Sequence, residues 1–261
     1  MKNKKLVAIF CIFVAVVLVV VISGTVFTFQ KAELYFINED GKYIEPDKML
    51  TDTINIQESL DGLYGNSMVF LSKDKALSQF EKSNLGVKIE RVEKVFPNKL
   101  RFFATIRVPL YYLNIDDVVY VCSYDGFIMQ QNPKDTVSLV KADGVFGMES
   151  KPQVGEYIGA KFSDKDKYEV IQNFLISVWL QEGFDFAGIY DLIKSINVEE
   201  KRLTCQTQRG AVFVILSPEV DLFQKFTAIY GAYSTLTDKQ ETGTFTSSLP
   251  DENGNYTVAV K

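Results

Sequence analysis

The sequence predicts an α+β protein with a single N-terminal transmembrane helix. Three observations predict it. Residues 6–29 hold no charged side chain. Period-2 apolar runs recur, most plainly on either side of Phe96-Pro97-Asn98. Stripes at helical spacing alternate with them, such as Tyr168, Ile171, Leu175 and Val178.

Taken in order, the uncharged run comes first. As a helix it would be about 36 Å long, against a hydrocarbon core of about 30 Å. It exceeds a signal-peptide core of about 7–15 residues, and no small-residue cleavage site follows it. Lys2, Lys4 and Lys5 precede it. The positive-inside bias therefore puts a cytoplasmic tail at 1–5, the transmembrane helix at 6–29 and the bulk outside the membrane.

Residues 32–37 alternate as a strand, and Asp40-Gly41 is a turn. Pro46 suits the first turn of a short helix whose apolar side is Met49, Leu50 and Ile54. Ser72 is an N-cap for a helix to about Lys82, with Ala76, Leu77 and Phe80 inward. Val87, Ile89 and Val92 then pair, across the Pro-Asn turn, with a run whose one face is Leu100, Phe102, Ala104 and Ile106. Residues 118–124 form another strand, closed by Asp125-Gly126.

Residues 132–152 are rich in turn signals. Ser163-Asp164-Lys165-Asp166 reads as a capping box for a long helix that Gly183 stops. Trp179 falls at a core spacing in it. Residues 195–198, 202–207 and 211–216 read as three strands, and Ser217-Pro218-Glu219 as the start of a helix with Leu222, Phe226, Ile229, Tyr230 and Tyr233 inward. The tail, 244–249 and 255–260, reads as a hairpin without a charged residue. Strand edges are ordinarily guarded by charge or proline, so an unguarded one is a place for a partner strand.

Composition narrows function. The chain has 261 residues and net charge −5. Three of its 28 basic residues precede the apolar run, leaving 25 against 33 acids, a net −8. A body this acidic lacks the basic face that nucleic acid requires. There is no histidine, which excludes Ser-His-Asp and Cys-His catalysis and His-bearing zinc sites. Cys122 and Cys205 sit in strand-like runs and read as small buried hydrophobes. Asp116-Asp117 and Glu199-Glu200 are adjacent acids, which a strand would point to opposite faces. No phosphate loop, dinucleotide fingerprint or metal-ligand cluster appears, and neither a cofactor nor a catalytic residue is expected.

The stretch from Val87 to Gly126, with Phe96-Pro97-Asn98 and Asp125-Gly126, resembles the DivIB/FtsQ family of bacterial cell-division proteins. The matching residues are Val92, Lys94, Phe96, Pro97, Asn98, Leu100, Arg107, Pro109, Tyr120, Asp125 and Gly126; Ile106 stands where the family has Glu. The resemblance implies a POTRA domain (β-α-α-β-β) at 31–109 and a mixed α/β "β domain" at 110–261 that ends in a C-terminal strand edge. It implies Phe96, Pro97, Asn98, Arg107, Pro109, Asp125 and Gly126 as structural motif residues. It also implies a non-enzymatic, bitopic scaffold at the division septum that helps regulate septal cell-wall synthesis. Its partners would be FtsL-like and FtsB/DivIC-like bitopic proteins and the septal peptidoglycan synthase complex. Carried onto this chain, partner binding falls on Phe245, Ser247, Leu249, Tyr256 and Val258. The alternative is a POTRA-containing envelope chaperone or secretion accessory.

Overall fold

The computed structural model describes the chain except residues 1, 39, 47, 137, 145–146, 184–185, 236–241 and 252–254, and except the side chains of 2–6, 8–9, 22–23, 25, 49–50 and 248–249. The described residues form two units, Met1–Arg107 and Val108–Lys261.

The first unit opens with α1 (Lys2–Thr25) and continues through β1 (Lys31–Phe36), α2 (Lys48–Thr53), α3 (Ile56–Ser59), α4 (Lys73–Ser83), β2 (Val87–Val95) and β3 (Lys99–Ile106). The expected membrane span at 6–29 is corrected. The helix ends at Thr25, and Phe29 is fully buried, with its N–H on the Asn66 carbonyl and its own carbonyl taking the Gly65 N–H. Among the described residues no helix is long and apolar enough to cross a membrane. The bitopic, single-pass topology drawn from that span, N-terminus inside and bulk outside, is withdrawn with it. The side chains that Met49 and Leu50 were expected to turn inward lie outside the described residues.

β2 and β3 form the expected antiparallel hairpin, and β1 adds to β3 in parallel, in the order β1-β3-β2. The buried positions of β2 shift from Val87 and Ile89 to Val92, because a bulge lies between Ile89 and Arg91. On β3, Leu100, Phe102 and Ala104 are buried as their alternation requires, but Ile106 at the strand's end is exposed. Ser72 caps α4, its Oγ accepting the Lys75 N–H at 3.2 Å, and Ala76 and Phe80 seat the helix on the sheet. Phe80 stacks on Phe102 at 5.0 Å.

On the other face of this sheet Glu33 accepts from Lys99 (2.6 Å), Arg101 (3.2 Å) and the Tyr35 hydroxyl (3.2 Å). The Lys99 hydrogen bond, helped by those of Arg101 and Tyr35, outweighs burial and lowers its carboxyl from 4.5 to about 2. A carboxyl depressed by folding stabilises the fold above its unfolded value, and that stability is lost as pH falls from about 4.5 through about 2. Glu33→Gln is therefore expected to flatten the stability–pH curve across that window and leave its shape at neutral pH unchanged. Urea unfolding at stepped pH measures it.

The second unit holds β4 (Pro109–Ile115), β5 (Val118–Ser123), β6 (Ile128–Gln131), β7 (Val140–Gly144), a 3₁₀ turn (Ile158–Lys161), α5 (Lys165–Gln181), α6 (Phe186–Leu192), β8 (Ile193–Glu199), β9 (Arg202–Thr207), β10 (Val212–Leu216), α7 (Leu222–Ser234), β11 (Thr244–Pro250) and β12 (Tyr256–Val260). Among the described residues the strands make one mixed sheet, ordered β12-β11-β10-β9-β8-β7-β4-β5-β6. Phe174 and Val178 of α5 and Phe226 and Ile229 of α7 are fully buried in its core. The Phe174 and Phe226 rings meet edge to face at 5.2 Å. Trp179 is partly buried against the core, stacked on Phe186 at 5.3 Å.

Local expectations differ from the fold in several places. β7, within the turn-rich 132–152, is a central strand, parallel to both β4 and β8. Its sequence has two buried apolar residues, Val140 and Ala142, ahead of an Asp-Gly that reads as a turn. The α5 cap is Asp164, not Ser163; Asp164 Oδ1 accepts the Lys167 N–H at 3.4 Å. α7 starts at Leu222 because Ser217 and Asp221 both adopt positive φ, +47° and +51°, so 217–221 is a turn. The α6 segment follows Gly183 and carries too few apolar repeats to stand out.

Candidate partner-binding edge

β12 closes one end of the large sheet, and its backbone polarity can be read from its neighbour. Thr244 and Lys261 exchange both N–H···O bonds, at 2.8 and 3.0 Å. Antiparallel pairs alternate, so Thr246 and Ala259 form the next bonded pair, while Val260 and Val258 face Phe245 and Ser247 in wide pairs. The Asp251 N–H on the Asn255 carbonyl (2.9 Å) carries the same phase past the bulge between Ser247 and Pro250. Tyr256, Val258 and Val260 thus turn their N–H and C=O groups away from β11. Among the described residues no hydrogen bond reaches that row.

The other edges differ. β2 carries Lys88, Glu90, Arg91, Glu93 and Lys94, and β1 carries Lys31 and Glu33. β6 is four residues long and covered at Ile128, whose N–H and C=O bond to Glu156 and Gly155. β12, Tyr256–Val260, has no charge at all.

The five residues expected at this site separate. Tyr256 and Val258 stand on the edge strand, both half-buried. Phe245 and Ser247 are fully buried on β11, an interior strand between β10 and β12. Phe245 packs edge to face on Phe213 (5.8 Å) and Tyr233 (5.6 Å), and Ser247 Oγ accepts the Leu216 N–H at 3.4 Å. The Leu249 side chain lies outside the described residues. Proline at Ser247, a natural probe of an edge, would strike the interior of the sheet instead.

Two residues outside the expected five hold the edge in place. Lys225, 2% exposed, gives its ammonium to the carbonyls of Leu216, Ser217 and Val220 at 2.9, 2.8 and 2.7 Å. This ties down the turn before α7. Burial lowers the Lys225 pKa despite the charges of Asp221 and Glu219. Asp221, on that turn, accepts the Tyr256 hydroxyl at 2.5 Å, a bond that raises the tyrosine's pKa. Lys225 also lies 5.8 Å from the Tyr256 ring.

The family-motif residues hold local structure. Phe96 packs on Phe27 edge to face at 5.9 Å, and a cis bond joins it to Pro97. The Asn98 carbonyl accepts from the Gln30 and Lys31 N–H groups (2.9 and 3.2 Å), which starts β1 beside β3. Arg107 donates to the Val87 carbonyl at 2.6 Å and pairs with Glu81 at 3.5 Å. The Pro109 carbonyl accepts the Tyr190 hydroxyl. Asp125 accepts from Ser123 Oγ at 2.5 Å, and Gly126 has φ +80°.

Catalytic chemistry finds little to build on. Tyr111 and Tyr168 share a buried hydroxyl–hydroxyl bond of 2.5 Å, and burial raises the pKa of both and of the nearby Cys122 thiol. Cys122 and Cys205 are buried and unbonded to each other. Among the described residues no group of three or more acids and cysteines is placed to hold a metal ion.

No protein-family profile matches the chain. Over 176 residues, 66% of its length, it is 23% identical to the cell division protein DivIB of Clostridium botulinum. The match spans 62% of that protein, so the chain covers about three fifths of the relative's length. The similarity supports a distant relationship to this family of bacterial division proteins.

Proposed function

We propose that the chain is a non-enzymatic scaffold of the bacterial division machinery that binds partner proteins by adding a partner strand to β12. The observation that carries the mode of binding is the uncharged edge whose N–H and C=O groups at Tyr256, Val258 and Val260 point outward. The resemblance and the distant similarity to DivIB support the division setting. The partner class that follows is the FtsL-like and FtsB/DivIC-like division proteins, and the consequence is control of septal wall synthesis.

Two neighbouring prolines test the mode. Val258→Pro removes an outward donor and leaves the β11 ladder intact. It is expected to weaken capture of the partners' soluble segments by about tenfold or more, the scale of a lost hydrogen bond plus a blocked strand, with little change in melting temperature. Ala259→Pro removes an inward donor to Thr246 and is expected to destabilise the edge itself, seen as faster amide exchange along β12. Equal binding by Val258→Pro and the parent chain would sink strand addition here. Depletion in the native cell tests the setting: long undivided cells are expected, and normal septation would refute it.

A further inference from the structure

The helical face of the second unit carries an open groove of about 530 Å³ between α5 and α7. Its walls include Ile176 and Leu180 of α5 and Phe223 of α7, exposed by 42%, 41% and 40%. The inward stripe of α5 is complete without them: Ile171, Phe174, Leu175 and Val178 already face the core. Glu169, Asn173, Ile176 and Leu180 form a second, outward stripe at steps of four, three and four. That is the spacing of a seam between helices.

The groove is one-sided in charge. Asp166, Glu169 and Glu219 line it, and neither lysine nor arginine does. None of the three acids belongs to an ion pair among the described residues of this unit. Asp166 sits in the first turn of α5, where the helix dipole accounts for an acid. Glu169 lies beyond that turn, so the dipole does not account for it; Glu219 lies just ahead of α7, and its charge acts on Lys225. Lys225, nearby in sequence, has all three donors taken by carbonyls.

We infer that this groove receives an amphipathic helix of a partner protein, with an apolar stripe and lysine or arginine at the end that meets Glu169 and Glu219. None of the groove's lining residues belongs to β12, and the inference does not rest on strand addition. An apolar seam supplies the contact, and the acidic end selects the partner's charge and fixes its register.

The test is selection against the full chain from a displayed library of helical peptides, about five turns long, with randomised surface positions. Enriched peptides are expected to share an i, i+3/i+4, i+7 apolar stripe and a net positive charge. Leu180→Asp and Phe223→Asp, both at exposed positions, are expected to weaken the winners about 30-fold, the scale of an interface hot spot. Glu169→Gln with Glu219→Gln is expected to weaken them about fivefold, and Val258→Pro not at all. Circular dichroism and melting identify any variant that fails to fold, and the milder Leu180→Ala and Phe223→Ala then stand in for it. No enrichment, winners of neutral or negative charge, or binding indifferent to the groove substitutions would each overturn the inference. So would a dimer of the chain that Phe223→Asp dissociates in sedimentation, since a second copy would then own the groove.

Discussion

Replacing Arg107 with alanine is expected to lower the stability of the first unit by about 3–5 kcal/mol, the cost of stranding one partner of a buried ion pair. The Arg107 side chain is fully buried and that of Glu81 is 4% exposed. Glu81 Oε1 also accepts the Ile89 N–H at 2.6 Å, and the Arg107 N–H bonds the Gly86 carbonyl at 2.9 Å. One acid and one base therefore join α4, the first residues of β2 and the end of β3. Glu81→Gln keeps an acceptor for Ile89 but leaves the guanidinium without its counter-charge, so it too is expected to destabilise, by less than Arg107→Ala. Urea unfolding of the full chain, followed by amide exchange in the two units, reads the effect. A loss under about 1 kcal/mol, the range of an exposed pair, would mean that the pair is not holding these elements together.

Gly126→Ala is expected to cost about 2–4 kcal/mol in the second unit, from left-handed backbone and from a displaced tyrosine. Gly126 has φ +80°, and a methyl group there would overlap Tyr168 Oη and crowd Gln172 Nε2 at 2.8 Å. Tyr168 is hemmed in on one side, where the backbone of Gly159 lies against its ring and a side chain would come within 2.5 Å of Cε1. Its hydroxyl is also the partner of buried Tyr111. The cost is thus shared between backbone and hydroxyl, and a double-mutant cycle separates them. Gly126→Ala in a Tyr168→Phe background is expected to cost less than in the parent, because the clashing oxygen is gone. Strict additivity would show that the two positions do not meet.

These two sites also show where a sequence stops being sufficient. Arg107 and Gly126 were picked out by resemblance, and Asp125-Gly126 also by turn chemistry. Nothing in the spacing said that the counter-charge of Arg107 comes from Glu81 on α4, or that Gly126 lies under a tyrosine of α5. The same holds at the candidate edge. An uncharged C-terminal hairpin was legible, because the absence of charge is a property of the chain itself. Which of its strands is the edge was not, because that depends on β11 pairing with β10 across the whole of α7.

Local chemistry along the chain was enough to specify the hairpin of β2 and β3, the strands β8, β9 and β10, the bodies of α4 and α5, and the glycine stops. Each follows from periodicity or from a backbone conformation that only neighbouring residues decide. The composition also determined that no histidine chemistry is open to this chain. Tertiary structure alone decided that β7 is a central strand, that Phe245 and Ser247 are interior, and that Lys225 and Asp221 hold the edge strand. It likewise returned Phe29 from an expected helix to the core of the first unit. Alternation says which way a side chain points, but only pairing between distant segments says what lies beside it.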